Sequence, residues 1–111
     1  MTTTPKPGKK VRGSRTGKPV MALLDLLGRR WALRVLWELR NGALTSRALR
    51  EACGGLSPTV LADRTRELRE ARLVDLEEQA GYTLTPLGQE LLELCLPLAR
   101  WSERWARLSE P

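Results

Sequence analysis

Apolar residues first cluster at residue 20. Val20, Met21, Leu23, Leu24, Leu26 and Leu27 are spaced for a short, broadly apolar helix that Gly28 ends. Residues 31–40 continue helically, with Ala32, Val35, Leu36 and Leu39 on one face and Leu33 and Trp37 in a second stripe one turn apart. Two apolar faces predict a helix covered on two sides, and Asn41-Gly42 stops it. After Leu44, Thr45 or Ser46 caps a short helix through Cys53, whose Ala48, Leu49, Ala52 and Cys53 face inward. Gly54-Gly55 makes a tight turn and Leu56 plugs it. Ser57-Pro58 then opens a helix to about Arg72, because Ser is a good N-cap and Pro loses nothing at the first helical position.

The period then changes. Residues 73–76 and 82–84 have strand character and flank 77–81, where Gly81 can take a positive φ, so a small hairpin is predicted. Thr85-Pro86 repeats the cap-plus-Pro signal. In the last helix Leu91, Leu94, Leu98, Trp101, Trp105 and Leu108 recur at spacings of 3, 4, 3, 4 and 3, which is an a/d seam. Pro97 lies inside it and predicts a kink or a break near Cys95.

Helix, Gly-Gly turn, capped helix, hairpin, helix is the order of a winged helix-turn-helix: mainly α with a small β-hairpin wing. A recognition helix in this fold buries one side and leaves the other for the DNA major groove. At about 100° per residue, Leu61, Thr65 and Leu68 share the buried stripe, and Thr59, Asp63, Arg66 and Glu70 fall opposite. Ser57, Thr59, Asp63 and Arg66 are therefore the expected base-reading residues. Arg66 suits guanine, and Asp63 suits cytosine or the orientation of Arg66. Arg64 points to the flank, fit for a phosphate or an internal ion pair.

Charge is distributed unevenly. The net charge is +6, and residues 1–19 alone hold six basic groups and no acid. That stretch has three prolines, three glycines and one large aliphatic residue, Val11, so nothing offsets its ordering entropy. A disordered basic arm (1–19) ahead of one domain (20–111) is the expected organisation. Residues 20–72 carry 10 basic and 6 acidic groups, and residues 73–111 carry 3 and 7.

Composition also excludes. No window approaches the ~18 apolar residues of a membrane span, and the run from Val20 is too short and interrupted for a signal peptide, so the cytoplasm is the expected location. Cys53 and Cys95 lack metal-ligand spacing and read as reduced thiols in apolar helical patterns; no metal site or cofactor is expected. The chain contains no histidine, which removes the commonest general base and any Ser-His or Cys-His pairing. Gly13 to Pro19 has the wrong glycine spacing for a phosphate loop and no strand before it. No catalytic residue is expected, and the chain does not read as an enzyme.

In this order of elements the sequence resembles the HxlR-type winged helix-turn-helix transcriptional regulators, with the wider MarR-like group behind them. The residues that carry the resemblance are Leu27-Gly28-Arg29-Arg30-Trp31, Gly42, Leu49, Ser57 through Leu61, Arg64 and Leu68, then Leu73-Val74, Tyr82 through Gly88, Leu98 and Trp101. It implies a homodimer, paired through its first and last helices, on a pseudo-palindromic operator in double-stranded DNA. On this reading Leu23, Leu24, Leu27, Trp37, Leu94, Leu98, Trp101 and Trp105 form the dimer interface. Phosphates are held by Thr45, Ser46, Arg47, Arg50 and Arg64, and by Lys9, Lys10, Arg12 and Arg15 of the arm. The chain also departs from the family. Lys18-Pro19-Val20 has lysine where redox- and electrophile-sensing members carry cysteine, and Thr45-Ser46 replaces a basic-aromatic pair. Thr65 replaces a leucine, and the wing carries Asp75, Glu77 and Glu78 with no basic residue from Leu73 to Leu87.

Blander readings stand beside these. The arginines of 47–72 can pair with Glu51, Asp63, Glu67 and Glu70 at helical spacings, as on any solvated face. A rival from another class is a winged-helix protein–protein adaptor that has lost DNA binding, which the acidic wing motivates. A small-molecule sensor is a third option, and no residue supports an effector.

Overall fold

The computed structural model describes Thr4, Pro7 and residues 18–110. The expected arm, with Lys9, Lys10, Arg12 and Arg15, lies outside the described residues except for Thr4, Pro7, Lys18 and Pro19. The elements run α1 (Pro19–Leu27), α2 (Ala32–Glu38), α3 (Ser46–Ala52), α4 (Pro58–Glu70), β1 (Val74–Glu77), β2 (Gly81–Leu84) and α5 (Pro86–Ser109). Five helices and one hairpin in this order are the mainly-α winged architecture the sequence predicts.

Three helix starts use the same device. The side chain of Thr45 accepts from the Ala48 N–H (3.2 Å), Ser57 from Val60 (3.2 Å) and Thr85 from Gly88 (2.9 Å). Thr45, not Ser46, is thus the cap of α3. Helix α3 ends in a Schellman motif: Gly54 and Gly55 take φ of 84° and 90°, and the Gly55 N–H reaches the Arg50 carbonyl at 2.9 Å. Helix α4 ends the same way but without glycine. Arg72 stands at φ 65° while the Leu73 N–H returns to the Leu68 carbonyl at 2.9 Å. The last helical residue is therefore Glu70, and Arg72 belongs to the cap.

Helix α2 touches α1, α3, α4 and α5, and the core forms around it. Val35 and Leu36 of α2 and Leu39 at its C-cap meet Leu26, Leu49, Cys53, Leu56, Leu61, Leu68, Leu73 and Val74, all buried. Its second stripe is only partly covered: Leu33 is exposed and Trp37 half-buried, beneath the Arg40 guanidinium at 4.2 Å from the ring centre. Leu44 adds a bridge to the wing that the periodicity did not predict. It exchanges two backbone hydrogen bonds with Tyr82 (2.9 and 2.8 Å), on the edge of β2 away from β1. Gly81 makes that approach possible, since a Cβ there would collide with the Leu44 carbonyl.

The start of α5 is equally close-fitted. Thr85 donates its N–H to the Leu73 carbonyl (3.1 Å) and its hydroxyl to the Arg72 carbonyl (2.6 Å), and a Cβ on Gly88 would collide with that Leu73 carbonyl. From there α5 runs 24 residues as one continuous helix, Pro97 included, so of the expected kink or break the break does not occur. Leu96, Pro97 and Leu98 are exposed, so water can reach the carbonyl that Pro97 leaves without a donor.

Candidate nucleic-acid interface

The turn of Gly54, Gly55 and Leu56 sets α4 against α3, and α4 divides into two faces. Leu61, Thr65 and Leu68 point inward and are buried, as the wheel requires. Thr65 fits there because its hydroxyl donates back to the Leu61 carbonyl at 2.8 Å, which satisfies its polar group within the helix. On the outer face Ser57, Thr59 and Asp63 are exposed, and Arg66 is half-exposed in an ion pair with Glu70 at 3.1 Å. The Ser57 oxygen serves as the cap, which leaves its O–H free to donate.

Around this face, Ser46 and Arg47 are exposed on α3, and Arg47 holds a loose pair with Glu51 at 3.4 Å. Arg50 is half-buried, with its Nε enclosed and without a partner. Arg64 takes the internal ion pair that its flank position allows, with Glu67. Asp75, Glu77 and Glu78 on the wing all face solvent.

Two residues outside the sequence-predicted set emerge beneath α4. Glu67 is only 3% exposed, and its carboxylate accepts from Arg29 through Oε2 and from Arg64 through Oε1. Arg29 comes from the α1–α2 turn and also lies 3.9 Å from Asp25. Burial lowers the Arg29 guanidinium from its ordinary pKa; Asp25 opposes this, and Arg64 and Arg66 reinforce it. The sequence signal for Glu67 is weak, because it sits among charged residues on the flank of the wheel. Arg34 is a second hidden connector: it donates to the Ala52 carbonyl at 2.9 Å, at the negative end of α3.

The residues expected to pair two copies fall around two apolar hollows. Leu24 and Leu27 of α1, Trp37 of α2 and Leu98 of α5 line a groove of about 720 Å³, with Cys95 in its wall. Leu23 and Leu94 line a second hollow of about 600 Å³, which Pro7 also borders. Leu94 and Leu98 are 72% and 60% exposed, more than a lone domain normally leaves for large aliphatic side chains. Trp101 and Trp105 lie farther along α5, exposed and stacked with ring centres 6.1 Å apart. Among the described residues no helix is long and apolar enough to cross a membrane.

The chain is similar to known proteins in sequence and in fold. MJ0925 of Methanocaldococcus jannaschii, an uncharacterized HTH-type transcriptional regulator, is 26% identical over 95 residues, covering 82% of this chain and 89% of its own. YtfH of Escherichia coli, of the same description, is 30% identical over 77% of this chain and 72% of its own. The crystal structure of a possible HxlR family transcriptional factor from Thermoplasma volcanium superposes with a TM-score of 0.72 at 26% identity, over 81% of this chain and 86% of that one. Residues 26–110 match the HxlR-like helix-turn-helix family as a whole. With that match spanning most of its length, the chain belongs to the HxlR-like helix-turn-helix family and is a DNA-binding transcriptional regulator, not an enzyme.

Proposed function

We propose that this regulator acts as a homodimer on a pseudo-palindromic operator, in the cytoplasm, and works by occupying the DNA. The observation that carries the reading is the two-sidedness of α4: an apolar back seated in the core, and a polar front that starts at the helix N-terminus. Ser57, Thr59, Asp63 and Arg66 read base edges in the major groove. Thr45, Ser46, Arg47, Arg50 and Arg64 hold phosphates, together with Lys9, Lys10, Arg12 and Arg15 of the arm. The unfilled groove between α1, α2 and α5 supports pairing through the first and last helices, with Trp101 and Trp105 extending that surface. Two recognition helices then fall about 34–36 Å apart, one turn of DNA.

Selection of bound sequences from random duplex tests the reading, using the wild type and Arg66→Ala. Wild type is expected to enrich a two-fold-symmetric site. Arg66→Ala is expected to relax preference at one base pair per half-site, at a cost of about 1–3 kcal/mol. A uniform fall in affinity with preference intact would make Arg66 a phosphate contact. Absence of any duplex binding at low salt would favour an adaptor role.

A further inference from the structure

We infer that Arg29 and Glu67 are positioning residues that set the DNA specificity of α4 from beneath, without touching DNA. The inference rests on the base-reading proposed for α4. Apart from this pair, the back of α4 is held by Leu61, Thr65 and Leu68, a buried stripe that turns the right face inward but tolerates small rotations better than a directional ion pair does. The Glu67 carboxylate is directional. Each of its oxygens takes a different guanidinium: Oε2 takes Arg29 from the α1–α2 turn, and Oε1 takes Arg64 one turn back on α4 itself. At 3% exposure the carboxylate is out of reach of solvent; Arg64 travels with it on α4, so a turn or slide of α4 costs the charged contact with Arg29, its link to the α1–α2 turn. Fixing register is the best-attested use of buried polar and charged groups.

Arg64 lies next to Asp63 and two residues from Arg66, so the rotation the cluster selects is the rotation at which the reading face meets the groove. Arg29 in turn stands four residues beyond Asp25 on the helix proposed to pair with a second copy. The same contact therefore sets α4 relative to the dimer, and with it the phase between the two half-sites.

The test compares the full-length wild type with Arg29→Lys, Arg29→Met and the double variant Arg29→Met/Glu67→Met. Each binds the site selected by wild type and a random duplex of equal length, at one salt concentration. The readout is the ratio of the two affinities. Partial unfolding lowers both affinities by the same factor and cancels in the ratio, so a merely structural role leaves it unchanged. The double variant removes Arg29 and Glu67 together, a replacement that apolar side chains of similar size commonly tolerate, and leaves the one-fifth-exposed Arg64 to turn to solvent. Arg29→Met keeps Glu67 on Arg64, so a ratio lowered in both variants is not the work of a freed Arg64. Arg29→Lys should keep the ratio within about threefold, whereas Arg29→Met and the double variant should lower it by about tenfold or more, the scale of a mismatched base pair. A wild-type ratio of one overturns the base-reading proposal itself. A high wild-type ratio that survives in Arg29→Met and the double variant overturns this inference alone.

Discussion

Arg72 occupies a backbone conformation that an L side chain adopts only at a cost. At φ 65° it takes the position after the helix end where Schellman motifs favour glycine, and the Leu73 N–H must still reach back to Leu68. The left-handed region costs a non-glycine residue roughly 1–2 kcal/mol, part of which glycine returns as greater freedom in the unfolded chain. Arg72→Gly is therefore expected to stabilise the fold by about 1 kcal/mol, raising the melting temperature by roughly 4–8 °C for a domain of this size. Thermal unfolding followed by circular dichroism measures it. An unchanged or lower melting temperature would show that the Arg72 side chain contributes more than its backbone conformation costs.

At the level of elements, the sequence marked most boundaries, because Thr45, Ser57 and Thr85 announce helix starts and Gly54-Gly55 an end in local chemistry alone. The buried stripe of α4 was also legible, since Leu61, Thr65 and Leu68 need only the helical period. What stayed hidden depends on partners distant in sequence. Leu44 looks like an isolated apolar residue until Tyr82 bonds to it, and Glu67 looks solvated until Arg29 arrives from 38 residues away. Pro97 does not end α5, because its cost depends on whether the freed carbonyl can be solvated, and that part of α5 is exposed.

The two cysteines offer a check on how these elements pair. Cys53 is in the core, and burial raises its thiol above the ordinary pKa. The stability it contributes is thus fully present below the unfolded thiol's pKa and is lost only as the pH rises through the higher folded value. Near neutrality it stays protonated and shielded, and alkylation reports on Cys95, which lines the groove between α1, α2 and α5. If that groove is the dimer seam, the alkylation rate should fall several-fold as protein concentration rises through the dimer dissociation constant. Sedimentation should show the mass doubling from 12.5 kDa over the same range. A doubling of mass with no change in rate would move the seam elsewhere.

Over the whole molecule, charge is arranged by position along the fold. Residues 20–72, which contain α3 and α4, carry a net +4, and residues 73–111, with the wing and α5, carry −4. A neutral domain with this polarity is steered so that α4 leads toward DNA, while the acidic wing is repelled by the backbone it would otherwise track. That leaves the domain short of net charge to neutralise phosphates, the more so because Arg64 and Arg66 share their charge with Glu67 and Glu70. The six basic groups of residues 1–19, with no acid among them, give that stretch the largest net positive charge in the chain. Removing residues 1–17 deletes five of them and leaves Lys18 and Pro19 to start α1. Every phosphate that the arm no longer neutralises should flatten the slope of log affinity against log salt by about 0.9. If all five basic groups bind, the truncated subunit should lose about 4–5 units of slope, with affinity at low salt falling steeply. Preference among operator variants should be retained, because backbone contacts carry no base information. An unchanged slope would take the arm out of the interface and require α3 and α4 to supply the affinity unaided. A loss of preference as well as slope would place the arm in the minor groove, reading bases beside the recognition helix.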